Sequence, residues 1–112
     1  MLVLNDDPIP MGCVVEVRPI GVIEATQKEG KRSVRNDRVI AAACESSIYS
    51  SWNHLNNVDD EMLRAIEHFF VSYHAVQGRQ FVPMRRAGPQ QAHQAIARAW
   101  QRASHHSFHE SL

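Results

Sequence analysis

Three groups of side chains in this chain have the types and spacing for chemistry. Lys28, Lys31, Arg32 and Arg35 crowd one short stretch and would attract a polyanion. Glu29 and Asp37 dilute that charge, so a solvated hairpin is the plainer reading. His105, His106 and His109 are spaced so that they could chelate Zn²⁺ or Ni²⁺, with Glu110 beside them. No cysteine or further carboxylate joins them, and a polar chain end that frays is the simpler account. Cys44, Ser46 and Ser47 offer nucleophiles, but no local motif sets a base beside them. His68 and His93 fall in separate predicted helices, and spacing alone does not bring them together.

The chain that must position these groups has 112 residues, 44% hydrophobic and 21% charged, which suits one globular domain. Twelve basic and twelve acidic residues give no net charge, which argues against nucleic acid or an anionic membrane as partner. No apolar run reaches membrane-spanning length. The opening Met-Leu-Val-Leu-Asn-Asp-Asp has neither the basic nor the long apolar region of a signal peptide, so a cytoplasmic location is expected. Cys13 and Cys44 lack metal-type spacing and read as buried, reduced thiols, the alternative being a disulfide between them.

Alternation over Cys13 to Arg18 predicts a strand, with a bulge or bend at Pro19 and Gly21 before Val22 and Ile23 resume it. Gln27 to Asp37 reads as an exposed hairpin loop around Gly30, and Val39 to Ala43 as a buried strand. Cys44 to Asn57 reads as a loop with a turn of helix, pinned by Tyr49, Trp52 and Leu55. A helix is predicted from about Val58 to Val76, with Met62, Ile66, Phe69, Phe70, Tyr73 and Val76 as its apolar stripe. Asn57 is its candidate N-cap and Gly78 its stop. A short strand at Gln80 to Met84 precedes a second helix that opens at Pro89 and carries Ala92, Ala95, Ile96, Ala99 and Ala103 on one face. Strands first, then helix, strand and helix, make an α+β pattern over residues 1–104, with helices packed on a mostly antiparallel sheet. Residues 105–112 form the His-rich tail.

Five stretches, in order, resemble the soluble (family I) inorganic pyrophosphatases: Leu2-Val3-Leu4 with the Pro8/Pro10/Gly12 loop, Val17 to Ile23, Asn36 to Ala41, Ile66 to Tyr73, and Gly88 to Ala99. The resemblance implies a small OB-like β-barrel, here partial, with two α-helices outside. It also implies a reaction in which several Mg²⁺ ions on Asp and Glu oxygens activate water against pyrophosphate. Carried over position by position, Tyr73 and Arg38 keep phosphate-binding roles, Arg38 standing where the family has Lys. Gln27 replaces a metal-binding Asp. Asn36 replaces the next, for which the adjacent Asp37 could substitute as a metal ligand. His74 replaces a Lys. The family's central Asp cluster has no counterpart in this sequence. By type alone, Tyr73 is a core tyrosine and Arg38 a solvated charge.

The reading that follows is a truncated pyrophosphatase-like domain, inactive alone, that acts as an oligomeric, protein-binding or regulatory module. It expects no cofactor, and Mg²⁺ only if a residual family site works. One alternative is Mg²⁺-dependent hydrolysis once a partner chain supplies the missing N-terminal half. Another is a phosphate- or polyanion-binding module that uses the basic loop. A sheet edge left open near the N-terminus would bare Val3, Val15, Val17, Val22 and Ile23, which predicts a homo-oligomer, most simply a dimer.

Overall fold

The computed structural model describes residues 1–111, with side chains through Ala103. Its organising element is a thirteen-residue strand, β2 (Val17–Glu29), preceded by the short β1 (Leu2–Leu4). β2 turns through the two-residue loop Gly30-Lys31 into β3 (Arg32–Arg35). Gly30 takes φ 63° at the first loop position, where a hairpin of this length requires the left-handed region. β4 (Arg38–Ala43) follows, then a 3₁₀ turn at Leu55–Asn57, helix α1 (Asp60–Val76), β5 (Gln80–Ala87) and helix α2 (Pro89–Ser111).

β2 pairs antiparallel with β4, β3 and β5, and β1 pairs parallel with β4. The result is an α+β fold on one open five-stranded sheet rather than a closed barrel. The bulge predicted at Pro19 and Gly21 is present as a register shift against β4. Gly21 is required there, because a Cβ would sit 2.1 Å from the Leu55 side chain.

Strand alternation divides the core in two. Ile23, Ala25, Ile40 and Ala42 face α1 and pack with Ile20, Leu63, Ile66, Phe70 and Phe81. Val22 and Val39 face the other way and pack with Ala92 of α2. Ile20, Ile23 and Ile40 are fully buried, each contributing roughly 2 kcal/mol of transfer free energy. Arg86 ties α1 to β5 through Glu67 at 2.7 Å and Asp60 at 2.6 Å.

Several expectations are corrected. β2 begins at Val17, and Cys13 to Glu16 is irregular and exposed, its alternation having no neighbouring strand to pair with. The predicted loop of Gln27 to Asp37 is mostly paired strand. Val22 and Ile23 are buried, because α2 and α1 cover the two faces. The buried stripe of α1 is Leu63, Ile66, Phe70 and His74, while Phe69, Tyr73 and Val76 are exposed. Tyr73 is therefore not a core tyrosine. The stripe is rotated because an imidazole that can both donate and accept was able to take a core position. Asp59, not Asn57, caps α1 by accepting the Met62 N–H at 2.7 Å. Asn57 instead accepts the N–H groups of Asn53 and His54. Helix α2 continues to Ser111, where the sequence reading ended it after Ser104. The side chains of the histidine cluster and Leu112 lie outside the described residues.

Candidate functional site

On the α1 face, beyond Ala25, β2 presents Gln27 in the same alternation. From the link between β3 and β4 comes Asn36, from the start of β4 Arg38, and from the last turn of α1 His74, which is 1% exposed. These four close into one network. Asn36 donates to Gln27 Oε1 at 2.7 Å and approaches His74 Nε2 at 3.3 Å. The Arg38 guanidinium meets the same Nε2 at 2.9 Å. His74 Nδ1 lies 2.8 Å from the Phe70 carbonyl. A carbonyl only accepts and a guanidinium only donates, so the His74 proton is assigned to Nδ1 and the ring is neutral. The ring stacks on Phe81 at 5.0 Å, and Arg38 lies over Phe70 at 5.5 Å.

Tyr73 is half-exposed beside this cluster, its ring 5.5 Å from the His74 ring and stacked on Phe69 at 6.1 Å. Arg38 Nε is buried with no hydrogen-bond partner, alone in this among the described side-chain N and O atoms. Asp37 points to the opposite face. Its carboxylate accepts the Ala25 N–H at 3.1 Å and is forked by Arg35 at 2.9–3.2 Å, with Arg98 at 3.6 Å. Arg38 and His74 are thus brought together, Tyr73 touches only the His74 ring and Phe69 among the described rings, and Asp37 is separated from them by the sheet.

The site does not fit Mg²⁺. It offers neutral amides and an imidazole whose acceptors are already engaged, whereas a hard cation needs anionic oxygens. Among the described residues no group of three or more His, Cys, Asp and Glu side chains is placed to hold a metal ion.

The other candidates are dispersed. Ser46 and Ser47 donate their hydroxyls to Asp6, which holds that carboxylate down at about 2. Their partner is thus an acid already ionised, not a base poised near neutrality. Cys13 is exposed and Cys44 half-buried, and both are free thiols. Neither is therefore fully buried as expected. His68 and His93 stand exposed on helices that cover opposite faces. Sequence reasoning noted Gln27, Asn36 and His74 only as departures. Its missed signal was the 63-66-70-74 spacing, which sets His74 on the buried side of α1.

The family model for inorganic pyrophosphatase matches residues 1–104. The chain belongs to the inorganic pyrophosphatase family. It is 30% identical over 107 residues to the inorganic pyrophosphatase of Haemophilus ducreyi, covering 92% of this chain and 58% of that protein. Inorganic pyrophosphatase 2 of Pseudomonas syringae pv. tomato is 33% identical over 90 residues, covering 79% and 48%. The crystal structure of inorganic pyrophosphatase from Thermus thermophilus superposes with TM-score 0.69 at 26% identity, over 81% of this chain and 52% of that one. The chain therefore spans about half the length of the pyrophosphatases it matches. No helix among the described residues is long and apolar enough to cross a membrane.

Proposed function

We propose that this pyrophosphatase-family chain does not hydrolyse pyrophosphate on its own and works as a binding and assembly module. The observation that carries the reading is the closed Gln27–Asn36–Arg38–His74 network. Where the family chemistry calls for carboxylates and a Lys, these side chains hydrogen-bond to one another and hold no anionic oxygen for a metal. A phosphoryl-transfer site needs charge neutralisation and an activated nucleophile, and this cluster supplies neither. Arg38 retains an orphan Nε–H, which supports a residual phosphate contact at this residue.

Purified chain with pyrophosphate and Mg²⁺ should release no orthophosphate above the buffer rate. Clear turnover overturns the proposal. For assembly, the exposed Phe69, Tyr73 and Val76 on α1 support a homo-oligomer, the dimer being simplest. Sedimentation at micromolar concentration should show it, with Phe69→Ser shifting the equilibrium towards monomer. A monomer at every concentration removes the assembly half of the reading.

A further inference from the structure

The α2 face of the sheet carries a second constellation that the pyrophosphatase resemblance does not use. An open groove of about 920 Å³ runs between the sheet and α2. Four arginines line it: Arg35 and Arg85 from the sheet side, and Arg98 and Arg102 one helical turn apart on α2. Two carboxylates, Glu24 and Asp37, sit at its floor with side chains 15% and 11% exposed. Above them the Arg35, Arg85 and Arg98 side chains are more than half exposed. Glu24 pairs with Arg85 and Arg35, and Asp37 with Arg35 and Arg98. The anions are thus buried beneath and the cations held above, already oriented.

Three features define what this arrangement takes. Four guanidinium groups over two carboxylates leave two net positive charges, which matches a phosphate dianion. Arg98 reaches Asp37 only at 3.6 Å and makes no hydrogen bond among the described residues, so its planar fork remains available for bidentate contact with phosphate oxygens. Trp100 stands at the rim, 74% exposed, next to the small apolar wall of Ala95, Ile96 and Ala99. An exposed indole beside a cationic groove is a stacking platform for a planar ring. The volume falls in the range of small-molecule sites. The chain as a whole carries no net charge, which suits a short anion rather than a polyanion.

We propose that this groove binds a nucleoside phosphate, its phosphate on Arg98, Arg102 and the sheet arginines and its base stacked on Trp100. The site lies on the opposite face of the sheet from the Arg38–His74 cluster and does not depend on that cluster's inactivity. The test is calorimetric titration of the intact chain with ADP at low salt, in parallel with orthophosphate and pyrophosphate. ADP should bind saturably and about tenfold or more tightly than either inorganic anion. The double variant Arg98→Gln/Arg102→Gln should weaken ADP binding about tenfold or more, and Trp100→Ala should remove the preference for ADP. Raising the salt from about 50 to about 300 mM should weaken binding. No saturable binding of ADP up to about 1 mM overturns the site. Equal affinity for ADP and pyrophosphate, or ADP binding unchanged in Trp100→Ala, overturns the stacking assignment. Unfolding of a variant is detected by circular dichroism. In that case quenching of Trp100 fluorescence by ADP in Trp52→Phe replaces it, and unquenched Trp100 at saturating ADP overturns the proposal.

Discussion

Neighbouring residues of the same strands end in opposite chemistries on the two faces of this sheet. On the α1 face, the half-buried Gln27, Asn36 and Arg38 are linked by hydrogen bonds to one another and to His74, which is 1% exposed. On the α2 face, Glu24 and Asp37 bind arginines whose outer sides stay in solvent. Burial of His74 makes that position of the first arrangement intolerant, because an unpaired charge there is cut off from water. Exposure leaves the second adaptable and individually weak, since surface ion pairs contribute about 1 kcal/mol or less each.

The sharpest way to break this comparison is His74→Lys, which puts the family's residue back alone. An ammonium would face the Arg38 guanidinium in a closed site, at a cost of about 4 kcal/mol in urea unfolding. A loss below about 1 kcal/mol would mean that water reaches the network freely. Next come Ile23→Ala and Val22→Ala, adjacent residues buried on opposite faces. The first should cost about 3–4 kcal/mol and the second about 2, because the α1 side holds the larger core and fewer methyls are lost at Val22. Equal losses would show that both faces are packed alike. Asp37→Asn removes the partner of Arg35 and Arg98 yet still accepts the Ala25 N–H, so it should cost only about 1 kcal/mol.

The mildest test is pH. Four hydrogen bonds from Ser46, Ser47 and Ile48 hold the Asp6 carboxyl below its usual range, at about 2. The unfolded chain binds the proton more readily. Its contribution is therefore complete above the ordinary value of 3.8 and is lost as the pH falls towards 2. Asp6→Asn should flatten the stability profile in that window, with the loss of stability full at neutral pH and vanishing towards pH 2. An identical acid slope in both proteins would assign the loss to other carboxylates.

Much of the fold could be read from local signals. Pro19 and Gly21 announced a bulge because neither residue continues a regular ladder, and Gly78 announced a helix stop that it makes at φ 74°. The site positions were legible as a set, since Gln27, Asn36, Arg38 and His74 were each marked by what they replace. Their joining was not, because it depends on which face each strand residue takes. Asp37 and Arg38 are neighbours in sequence but meet on no face of the sheet. His74 was misread for a physical reason: hydropathy counts an imidazole as polar, whereas burial requires only that both nitrogens find partners. The arginine groove was invisible for the same geometric reason, its arginines being separated by as many as 67 positions, between Arg35 and Arg102.

The central place of β2 has a further consequence for how the chain comes off the ribosome. Its partner β5 pairs Val22 with Ala87 and Lys28 with Gln80, so more than two-thirds of these residues must be made before that edge can close. The helix whose Ala92 covers Val22 is synthesised later still. Until then, β2 is a bared, β-branched segment with one unpaired side. Contacts so distant along the chain form slowly, which lengthens that exposure. The nascent protein is thus a natural client for whatever shields extended apolar chain at the ribosome exit, and slowing elongation after Arg79 should prolong that dependence.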